Sequence, residues 1–581
     1  MPRLLPAALA VALCAAAPAA AATRCVAPES GCPGGLTYPT FQAAIGAATG
    51  AAGADTIQLG VATYTAPSAS GYVVNDAAGQ IEIAGRGDGT ILTAPAGATS
   101  VLNIAAAAAG SSVHDLRVHL PASVPSGARG LAVEDTAVSR IAIDADPAQS
   151  GPHHGIALAA GSTLDDTTIV LSRQLNTYGV FAIAAGVVVT DTTVDGRNGF
   201  DASSSATFDR DTAIVTGAGY DLENDPSVVR NCLVRLGASG ATGVYVGNGS
   251  GSTVTGCTFV DEGASSTVGV FASGTSGDAV VTVAGSLLVV DAAAERAGEN
   301  GHAATITLHH SDFNSATFHS YGGAGAFVQG AGNAYHAASG FADAAAHDYR
   351  LRHDSPLVDA GDPAVADGAD IGGGARKVDG NGNGSAIADV GAYEYQRLAP
   401  QGAVAGPVTA KAGEALTFSA TATDPDPGDA AEATFAWSVD GAAPVAGATL
   451  PHTFVSQGLH TIVLTVTDPA GRTATAEHTV EVAGTVEVPA AVPPQATPPA
   501  VVPPAAPCVD QARTTLRLDR RLVRAKVRLL GRSLRVRRVK GRLTVRVDLR
   551  EKKAGVYRVK VDGRTAKGRR LRSTRRLRVC A

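Results

Sequence analysis

A six-residue pattern of apolar and polar positions recurs along the first two thirds of the chain. Each copy begins with Val or Leu and ends on an apolar residue, with mostly small or polar residues between. Alternation over so few residues predicts short β-strands that bury one face. The copies begin at Val113, Val138, Leu164, Val189, Val229, Val254, Val283 and Leu308, at intervals of 25, 26, 25, 40, 25, 29 and 25 residues.

A second series of strand patterns interleaves with the first, so each repeat contains at least two strands separated by Gly, Ser and Asp turns. Repeats of this length cannot bury an apolar face alone, and a period near 25 therefore predicts a solenoid of stacked coils. Residues 56–348 have room for 11 or 12 coils. The second series starts at Gly130, Gly155, Gly179, Gly243 and Gly269.

Two cysteines, Cys232 and Cys257, occupy the same position in successive copies of the pattern. Neighbouring parallel strands lie about 4.8 Å apart, which is within the Cα separation that a disulfide requires. Two stacked, unbonded thiols would fit the same geometry. Either arrangement predicts that these residues lie one above the other in adjacent coils.

The beginning of the chain predicts export. Residues 1–23 contain Arg3, an apolar stretch and Ala-x-Ala cleavage options, as in a secretory signal peptide. Lipidation at Cys14 is disfavoured because Leu13 precedes it, and no later apolar stretch is long enough to cross a bilayer. Six cysteines remain in three local pairs, which in an exported chain predicts three disulfides. They are Cys25, Cys32, Cys232, Cys257, Cys508 and Cys580.

The stacked strands resemble the right-handed parallel β-helix of pectate-lyase-like proteins. Thr40 is suited to cap a helix whose apolar stripe is Phe41, Ala44 and Ile45, followed by the first strand at Asp55. This order is similar to the amphipathic helix that covers the N-terminal end of such proteins, where exposed strand edges would promote aggregation. We expect the β-helix and its cap to occupy residues 24–350.

Residues 351–396 resemble the C-terminal segment of bacterial surface β-helix proteins of the choice-of-anchor Q type. The resemblance implies a secreted or surface-attached protein and a closure of the β-helix, without implying any chemistry. The matching residues are Ser355, Pro356, Asp359, Gly361, Arg376, Asp379, Gly380, Asp389, Gly391, Ala392 and Glu394.

One loop of this segment is similar to the first half of an EF-hand, because oxygen-bearing residues alternate with glycine. A bidentate acid is missing at the twelfth position, where Val390 stands. The loop therefore predicts either a calcium site or turns in which Asp and Asn side chains bond to the local backbone. The candidate ligands are Asp379, Asn381, Asn383, Ser385 and Asp389.

Residues 399–484 contain evenly spaced alternating strands and resemble a PKD-like β-sandwich, with Trp437 in a core strand and a run from Phe454 to Asp468 that matches the family. In that family these residues form core and turns, and the modules act as spacers or as adhesion units near carbohydrate. Asp424, Asp426 and Asp429 form a cluster that is either a calcium site or a solvated turn.

Charge separates the end of the chain from the rest. A Pro/Ala-rich linker at residues 485–507 precedes a basic β module at 508–581, which holds 27 Lys and Arg against 5 Asp and Glu. The rest of the chain holds 19 basic and 47 acidic residues. Tyr557 alone is aromatic in the basic module, which argues against nucleic-acid binding.

Arginine suits carboxylates and phosphates, so the partners we expect for the basic module are anionic cell-wall polymer, lipid head groups or acidic polysaccharide. A charged solvated surface, or docking on the acidic part of the same chain, would also explain the composition.

The 40-residue interval between Val189 and Val229 predicts an insertion of about 15 residues rich in Asp. A lyase needs a base and a cation or Arg beside the uronate carboxylate, whereas a hydrolase needs two carboxylates facing one groove. Acidic loops are also ordinary on an exported protein. The candidate catalytic residues are Asp201, Asp209, Arg210 and Asp211.

Two histidine pairs deserve mention. His153 and His154 precede a Gly-Ile pair similar to a polygalacturonase strand, but the acidic pairs and the Arg-x-Lys of that family are missing, which favours a turn. His309 and His310 lie within a strand pattern and have no obvious third ligand.

The sequence therefore predicts an all-β chain: a right-handed parallel β-helix, a PKD-like β-sandwich and a small basic β domain. We expect a monomeric structural or adhesive protein, held at the bacterial surface, that binds polysaccharide or cell-wall polymer, with calcium as the only cofactor suggested. The alternative is a secreted polysaccharide lyase or glycoside hydrolase. A cleft in which carboxylates and Arg converge would favour the enzyme, and stacked polar ladders without a cleft would favour the structural role.

Overall fold

The structure is a computed structural model that describes residues 21–29, 36–49, 53–75, 79–149, 153–173, 177–315, 317–484, 513–519, 521–530, 532–549, 555–565 and 569–579. Cys32, Cys508, Cys580 and the predicted linker lie outside these residues, as does almost all of the predicted signal peptide. The chain forms two compact units, residues 1–486 and 487–581. Over the described ranges, no helix is long and apolar enough to span a membrane.

The α-helix at Phe41–Ala48 covers the start of the solenoid, as predicted. The Thr40 hydroxyl accepts a hydrogen bond from the Ala43 amide at 3.2 Å, and Phe41, Ala44, Ile45 and Ala48 are buried. The Phe41 ring lies 4.6 Å from that of Tyr72 in the first coil. The other helical segments in the described part of the chain are Ala106–Ala108, Ala344–Ala346 and Asp429–Glu432.

Three series of parallel strands run along the solenoid, each coil contributing one strand to each series. The first series, beginning at the N-terminal end, is Thr23–Val26, Leu36–Tyr38, Asp55–Leu59, Ile81–Ala84, Ser111–Leu120, Thr136–Ala145, Thr163–Asp165, Val187–Thr190, Ala206–Asp209, Val228–Arg230, Ser250–Thr255, Ala279–Ala284, Ala304–His309 and Phe327–Gln329.

The second series continues each coil after a corner and shares the two ten-residue strands Ser111–Leu120 and Thr136–Ala145 with the first. Its other strands are Ala62–Thr65, Thr90–Thr93, Thr168–Val170, Thr193–Gly196, Thr212–Val215, Leu233–Leu236, Thr258–Asp261, Leu287–Val289, Asp312–Phe313 and Ala334–Tyr335.

The third series forms a separate sheet of eleven strands over the described residues, which matches the predicted number of coils. Its strands are Tyr72–Val74, Ser100–Ile104, Ala128–Val133, His153–Leu158, Tyr178–Ala182, Asn198–Ala202, Ala218–Glu223, Thr242–Gly247, Val268–Gly274, Ala292–Gly298 and Phe318–Ser320. One apolar core fills the interior between the three series.

The 40-residue interval of the sequence contains a complete coil, so the predicted insertion is wrong. Ala206–Asp209 pairs in parallel with Val187–Thr190 on one side and with Val228–Arg230 on the other. Phe208 takes the apolar position of Val189 and Val229 and is fully buried. Two short coils of 19 and 21 residues replace the usual one because their turns are shorter.

A left-handed corner separates the first series from the second in nine successive coils of the described chain. The next side chain points inward, and in most coils it is a buried Ser, Thr, Asp or Cys whose heteroatom accepts the backbone amide of the preceding coil: Asp211 from Thr192 at 2.9 Å and Ser286 from Cys257 at 3.2 Å. The corner residues are Asp115, Arg140, Asp166, Asp191, Arg210, Asn231, Gly256, Gly285 and His310.

Cys232 and Cys257 belong to this ladder. Their Cα atoms lie 4.5 Å apart, both side chains are fully buried and they form a disulfide, which confirms the bonded alternative. The Cys232 amide also donates to Cys257 Sγ at 3.3 Å, as serine does elsewhere in the ladder. Cys25 is disulfide-bonded as well, and its predicted partner lies outside the described residues.

Seven stacked glycines form a column at the start of the third series. A Cβ atom on Gly219 would lie 2.6 Å from the Gly243 carbonyl oxygen and 2.6 Å from Val234 Cγ1. The second and third series approach so closely at this corner that only glycine fits. The column consists of Gly130, Gly155, Gly179, Gly199, Gly219, Gly243 and Gly269.

Residues 341–396 fold back along the side of the late coils. Phe341–Asp343 and Asp348–Leu351 form an antiparallel pair. The segment then packs Leu357 and Val358 against Leu287 of the second series, and the Ala392 amide donates to Thr258 Oγ1 at 2.8 Å. The predicted closure thus covers the outer wall of these coils.

The next sandwich contains two sheets around Phe418, Trp437 and Leu464, all buried. Its strands are Gln401–Ala405, Thr409–Lys411, Ala415–Thr423, Thr434–Val439, Val445–Ala446, Thr449–Thr453, Gly458–Thr467 and Thr473–Ala483.

The basic module contains two further sheets around a core that includes Val527, Val545 and Val559. Its strands are Arg513–Arg517, Leu522–Leu529, Arg532–Leu534, Val536–Val539, Arg542–Asp548, Gly555–Thr565 and Arg570–Val579. These sheets confirm the all-β prediction for the whole described chain.

Candidate functional site

An unbroken column of aromatic and acidic residues runs along the outer face of the third series. The inward neighbours on each strand, such as Tyr220 and Leu222 around Asp221, are fully buried in the core. Strict period-two alternation therefore turns the residues between them outward. The members of this outward column, one per coil and each in register with the next, are Phe181, Asp201, Asp221, Tyr245, Phe271, Glu295 and His319.

The centre of the column is a pair of carboxyl groups on adjacent strands, Asp201 and Asp221. The Tyr178 hydroxyl donates to Asp221 Oδ2 at 2.9 Å. Burial, reinforced by Asp221 and Glu223, raises the pKa of Asp201 to about 8. Burial also raises the pKa of Asp221, to about 6. At neutral pH the pair therefore holds about one proton, mostly on Asp201, because two adjacent carboxylates resist simultaneous ionisation.

Aromatic rings lie on both sides of this acidic pair. Towards the N-terminal end, His154 stacks on Phe181 with centroids 4.9 Å apart and on Tyr178 at 5.9 Å. Burial lowers the pKa of His154 to about 4, so this ring is neutral. Towards the other end, the rings of Tyr245 and Phe271 lie 5.6 Å apart. The exposed Tyr321 continues this second group beyond Phe271 at 6.3 Å.

A second polar region is a groove of about 560 Å³ between the outer face of the first series and the loop at residues 362–369. Asp209 lies on its floor, only 5% exposed. Its carboxylate pairs with Arg210 at 2.9 Å and Arg230 at 3.1 Å, and accepts a hydrogen bond from Asn231 Nδ2 at 2.8 Å. The carboxylate of Asp209 is thus saturated by its neighbours.

The four candidate catalytic residues consequently do not form one site. Asp201 belongs to the outward column, whereas Asp209 and Arg210 lie in the groove on another series of strands. Asp211 is fully buried in the interior ladder, where its carboxylate accepts the Thr192 amide and burial raises its pKa well above the ordinary value.

The residues that the sequence analysis missed are Tyr178, Asp221, Tyr245 and Phe271. A signal for most of the column was present: its members from Phe181 to Phe271 stand two positions after each glycine of the stacked column. The Gly-x-aromatic or Gly-x-Asp spacing was visible, but only the stacking of strands shows that these positions share one outer face.

Comparison with known proteins identifies part of the chain. Residues 398–483 match the family profile of the PKD domain. The sandwich is a PKD domain. The chain therefore combines a parallel β-helix with a PKD domain, and the choice-of-anchor resemblance of residues 351–396 remains a prediction. No curated protein sequence matches the chain.

Solved structures share only general similarity with the chain. The Bacteroides ovatus mixed-linkage glucan utilization locus protein SGBP-B, in complex with a mixed-linkage heptasaccharide, aligns over 32% of this chain and 48% of its own, at 14% identity and a TM-score of 0.13. The enzymatically active domain of Bacteriophage CBA120 tailspike protein 2 aligns over 90% of this chain and 72% of its own, at 11% identity and a TM-score of 0.19. The chain thus spans about half the length of the first of these proteins.

Buried acids lie where the PKD domain meets residues 351–396. Carboxylate oxygens of Asp424, Asp429 and Asp468 lie within 4.8 Å of one another. Within the described chain, Asp424 Oδ2 and Asp468 Oδ2 are buried and accept no hydrogen bond. Tyr395 donates to Asp429 at 2.6 Å, and burial raises the pKa of Asp426 to about 6. Clustered oxygen ligands of this kind suit a hard cation such as Ca²⁺.

The loop with EF-hand character uses its side chains on its own backbone. Asn381 Oδ1 accepts the Asn383 amide at 3.0 Å, and Asn383 Oδ1 accepts the Ser385 amide at 2.8 Å. Asp379 Oδ2 accepts the Gly384 amide at 2.9 Å. Asp389 is fully buried and accepts the amides of Asp359 and Tyr395. These contacts are those of the turn alternative.

The remaining motif residues of this segment form a buried network. Arg376 is 2% exposed and pairs with Glu394 at 3.4 Å. It also donates to the carbonyl oxygens of Asp389 and Gly391 at 2.9 and 2.6 Å. The network ties the end of the segment to its middle, which explains the motif as structural.

Proposed function

We propose that this protein is an extracellular, surface-retained β-helix protein that binds neutral polysaccharide along the outward column. The observation that carries the proposal is the register itself: aromatic and carboxyl side chains follow one another from Phe181 to His319 without a change of face. Aromatic rings supply rigid contact area at low entropic cost, and carboxyl groups accept hydrogen bonds from sugar hydroxyls.

The charge of the column selects the class of polysaccharide. Asp201, Asp221, Glu223 and Glu295 would repel a polyanion, so a neutral chain fits this face better than an acidic one. A linear glycan running along the axis would meet one side chain every rung, about 4.8 Å apart.

The basic module suits a different, anionic partner. Lys526, Asp562 and Arg572 are neighbours across three strands, and so are Arg528 and Lys560, which gather cationic groups around a single carboxylate. A cavity of about 590 Å³ lies among them. We propose that this surface holds the protein on anionic cell-wall polymer, with export predicted by residues 1–23 and supported by the buried disulfide. The protein would act as a monomer.

The binding proposal is tested by titrating full-length protein with neutral and acidic polysaccharides in a calorimeter. Phe181→Ala, Tyr245→Ala and Phe271→Ala should each weaken binding of a neutral glycan, roughly tenfold for a loss of about 1.4 kcal/mol. Tyr335→Ala is the matched control, because Tyr335 is a half-exposed aromatic residue of the second series. Equal affinities in all four variants would contradict the assignment of the face.

Hydrolysis of the bound glycan is a second candidate function, which the split pKa values of Asp201 and Asp221 favour. Protonated Asp201 would donate to the glycosidic oxygen, and the Asp221 carboxylate would activate water or attack the sugar. A lyase is less suited to this face, since its centre holds carboxylates instead of the cation that a uronate needs.

Reducing-end release separates the two functions. If the protein is a hydrolase, wild-type protein releases reducing ends from a bound neutral glycan, and Asp201→Asn abolishes release while binding persists. Binding without product from any glycan would leave the adhesive role standing and remove the hydrolase.

Calcium is the cofactor that we propose for Asp424, Asp429 and Asp468 at the PKD junction. Its role there is structural, because three buried carboxyl groups repel one another unless a cation neutralises them.

A further inference from the structure

Two adjacent histidines, His309 and His310, meet a carboxylate from the segment that folds back along the coils. His309 ends a strand of the first series, and His310 takes the left-handed corner with a φ of 49°. This turn brings their Nδ1 atoms to 3.2 Å from each other. Asp362 Oδ2 lies 3.5 Å from His309 Nδ1, and Asp362 Oδ1 lies 3.9 Å from His310 Nδ1. The third group that the sequence lacked is therefore Asp362.

Hydrogen bonding does not explain this arrangement. The two carboxylate separations exceed the usual 2.7–3.2 Å range for N–H···O bonds. Three groups whose lone pairs face one another at 3.2 to 3.9 Å instead surround a central point. A tetrahedral Zn²⁺ with bonds of about 2.0–2.1 Å holds its nitrogen and oxygen ligands about 3.3 Å apart.

The surroundings are shaped to hold these side chains. A Cβ atom on Gly332 would lie 2.3 Å from the His310 ring, so glycine is required there for the ring to adopt its position. The Ala364 amide donates to Asp362 Oδ1 at 2.8 Å and orients the carboxylate. Gly285, the corner of the preceding coil, lets the loop cross closely, with Asp362 N 3.5 Å from where a Cβ would stand. Outer contacts of this kind orient metal ligands.

The three groups lie at the edge of the groove and remain accessible. Their side chains are 29%, 28% and 13% exposed for His309, His310 and Asp362. His309 and Asp362 line the groove of about 560 Å³. The arginines on its floor, Arg210 and Arg230, are already paired with Asp209. A metal here would thus have three protein ligands and a position open to water or to a group bound in the groove, as metal sites with chemical roles do.

We propose that His309, His310 and Asp362 form a site for a divalent transition metal, with Zn²⁺ as its best fit. The metal would link the last coils of the β-helix to the loop at residues 362–369 and present an electrophilic ion to the groove. Two imidazoles and one carboxylate select such a metal over Ca²⁺, which prefers oxygen ligands. The site is independent of the outward column and of the polysaccharide proposal.

The test uses tag-free, full-length protein with its disulfides intact, dialysed against Zn²⁺ and then analysed for bound metal. Wild-type protein should retain one zinc ion at this site and unfold at a higher temperature with zinc than without. His309→Gln and Asp362→Asn should each weaken zinc affinity by about 10- to 100-fold or more. His310→Asn should do the same without disturbing the corner, because Asn tolerates the left-handed conformation.

His319→Gln is the matched control, since His319 also contacts a carboxylate, Glu295, at 2.8 Å but has no second histidine beside it. This variant should bind zinc like wild type. Replacement by Co²⁺ gives a second readout, since a tetrahedral site with nitrogen ligands has visible absorption bands that the three site variants should lose. Absence of retained zinc in the wild type, or equal retention in the site variants and the control, would overturn the proposal.

Discussion

Asp201 and Asp221 lie directly opposite each other on adjacent parallel strands, with both side chains on the outer face of the third series. Their register places two carboxyl groups about one rung apart, where burial and mutual repulsion raise the pKa values to about 8 and about 6. This pair is the point of the β-helix at which ionisation near neutral pH affects both stability and binding.

Replacing Asp201 should change how stability depends on pH. The folded chain holds the Asp201 proton up to about pH 8, whereas the unfolded chain releases it near the ordinary value of 3.8. Because the folded state binds more protons between these values, the free energy of unfolding falls as pH rises through this window. Asp201→Asn removes that loss, so the variant should gain stability over wild type at about pH 8, by roughly a few kcal/mol.

The measurement is the thermal unfolding midpoint of both proteins at about pH 5 and about pH 8. Glu299→Gln, at an exposed position of the same solenoid, should leave the pH dependence unchanged. An identical pH dependence in wild type and Asp201→Asn would contradict the raised pKa.

Two glycines of the chain should respond to alanine in opposite directions. Gly219→Ala places a Cβ 2.6 Å from both a carbonyl oxygen and Val234, so it should destabilise the β-helix by roughly 1–3 kcal/mol. Gly46→Ala meets nothing within 4 Å in the helix Phe41–Ala48 and should stabilise by roughly 0.5–1 kcal/mol. Denaturant unfolding of both variants measures the difference, and a neutral Gly219→Ala would show that the corner can relax.

The disulfide position should accept serine better than alanine. Ser286 and Ser311 stand at the same ladder position in the next coils, and each accepts a backbone amide at 3.2 Å. Cys232→Ser with Cys257→Ser should therefore lose the roughly 2–4 kcal/mol of the cross-link but keep the ladder. The double alanine variant should unfold at a lower temperature still, since it leaves buried amides without acceptors. Equal midpoints for the two double variants would argue against the ladder.

Calcium should stabilise the PKD domain through its buried acids. Added Ca²⁺ should raise the unfolding midpoint of wild-type protein, and a chelator should reverse the shift. Asp468→Asn should reduce this response, because Asp468 offers a buried oxygen without a hydrogen-bond donor in the described chain. Glu477→Gln, at an exposed position of the same domain, should respond like wild type. A wild-type midpoint that ignores Ca²⁺ would exclude a calcium site here.

Several features of the fold were predictable because they depend on local spacing. The 25-residue recurrence fixed the coils, the pairing of Cys232 with Cys257 and the capped helix after Thr40. The coil around Phe208 escaped detection because its turns are shorter than the others, so the recurrence doubled to 40 residues and suggested an insertion. A strand needs only three residues in register with its neighbours, and a shorter turn does not disturb that register.

What the sequence by itself determined is therefore the repeating unit: apolar residues at fixed spacing must stack to be buried, and stacking sets the coils, the glycine column and the cysteine pair. What only the tertiary structure decided is which polar residues meet. Asp201 and Asp209 are close in sequence but lie on different series of strands, because a corner separates them. Asp362 is 52 positions from His310 in the sequence and reaches it only because the chain folds back to bury Leu357 and Val358 on the coil wall, a contact that side-chain packing specifies and local spacing does not.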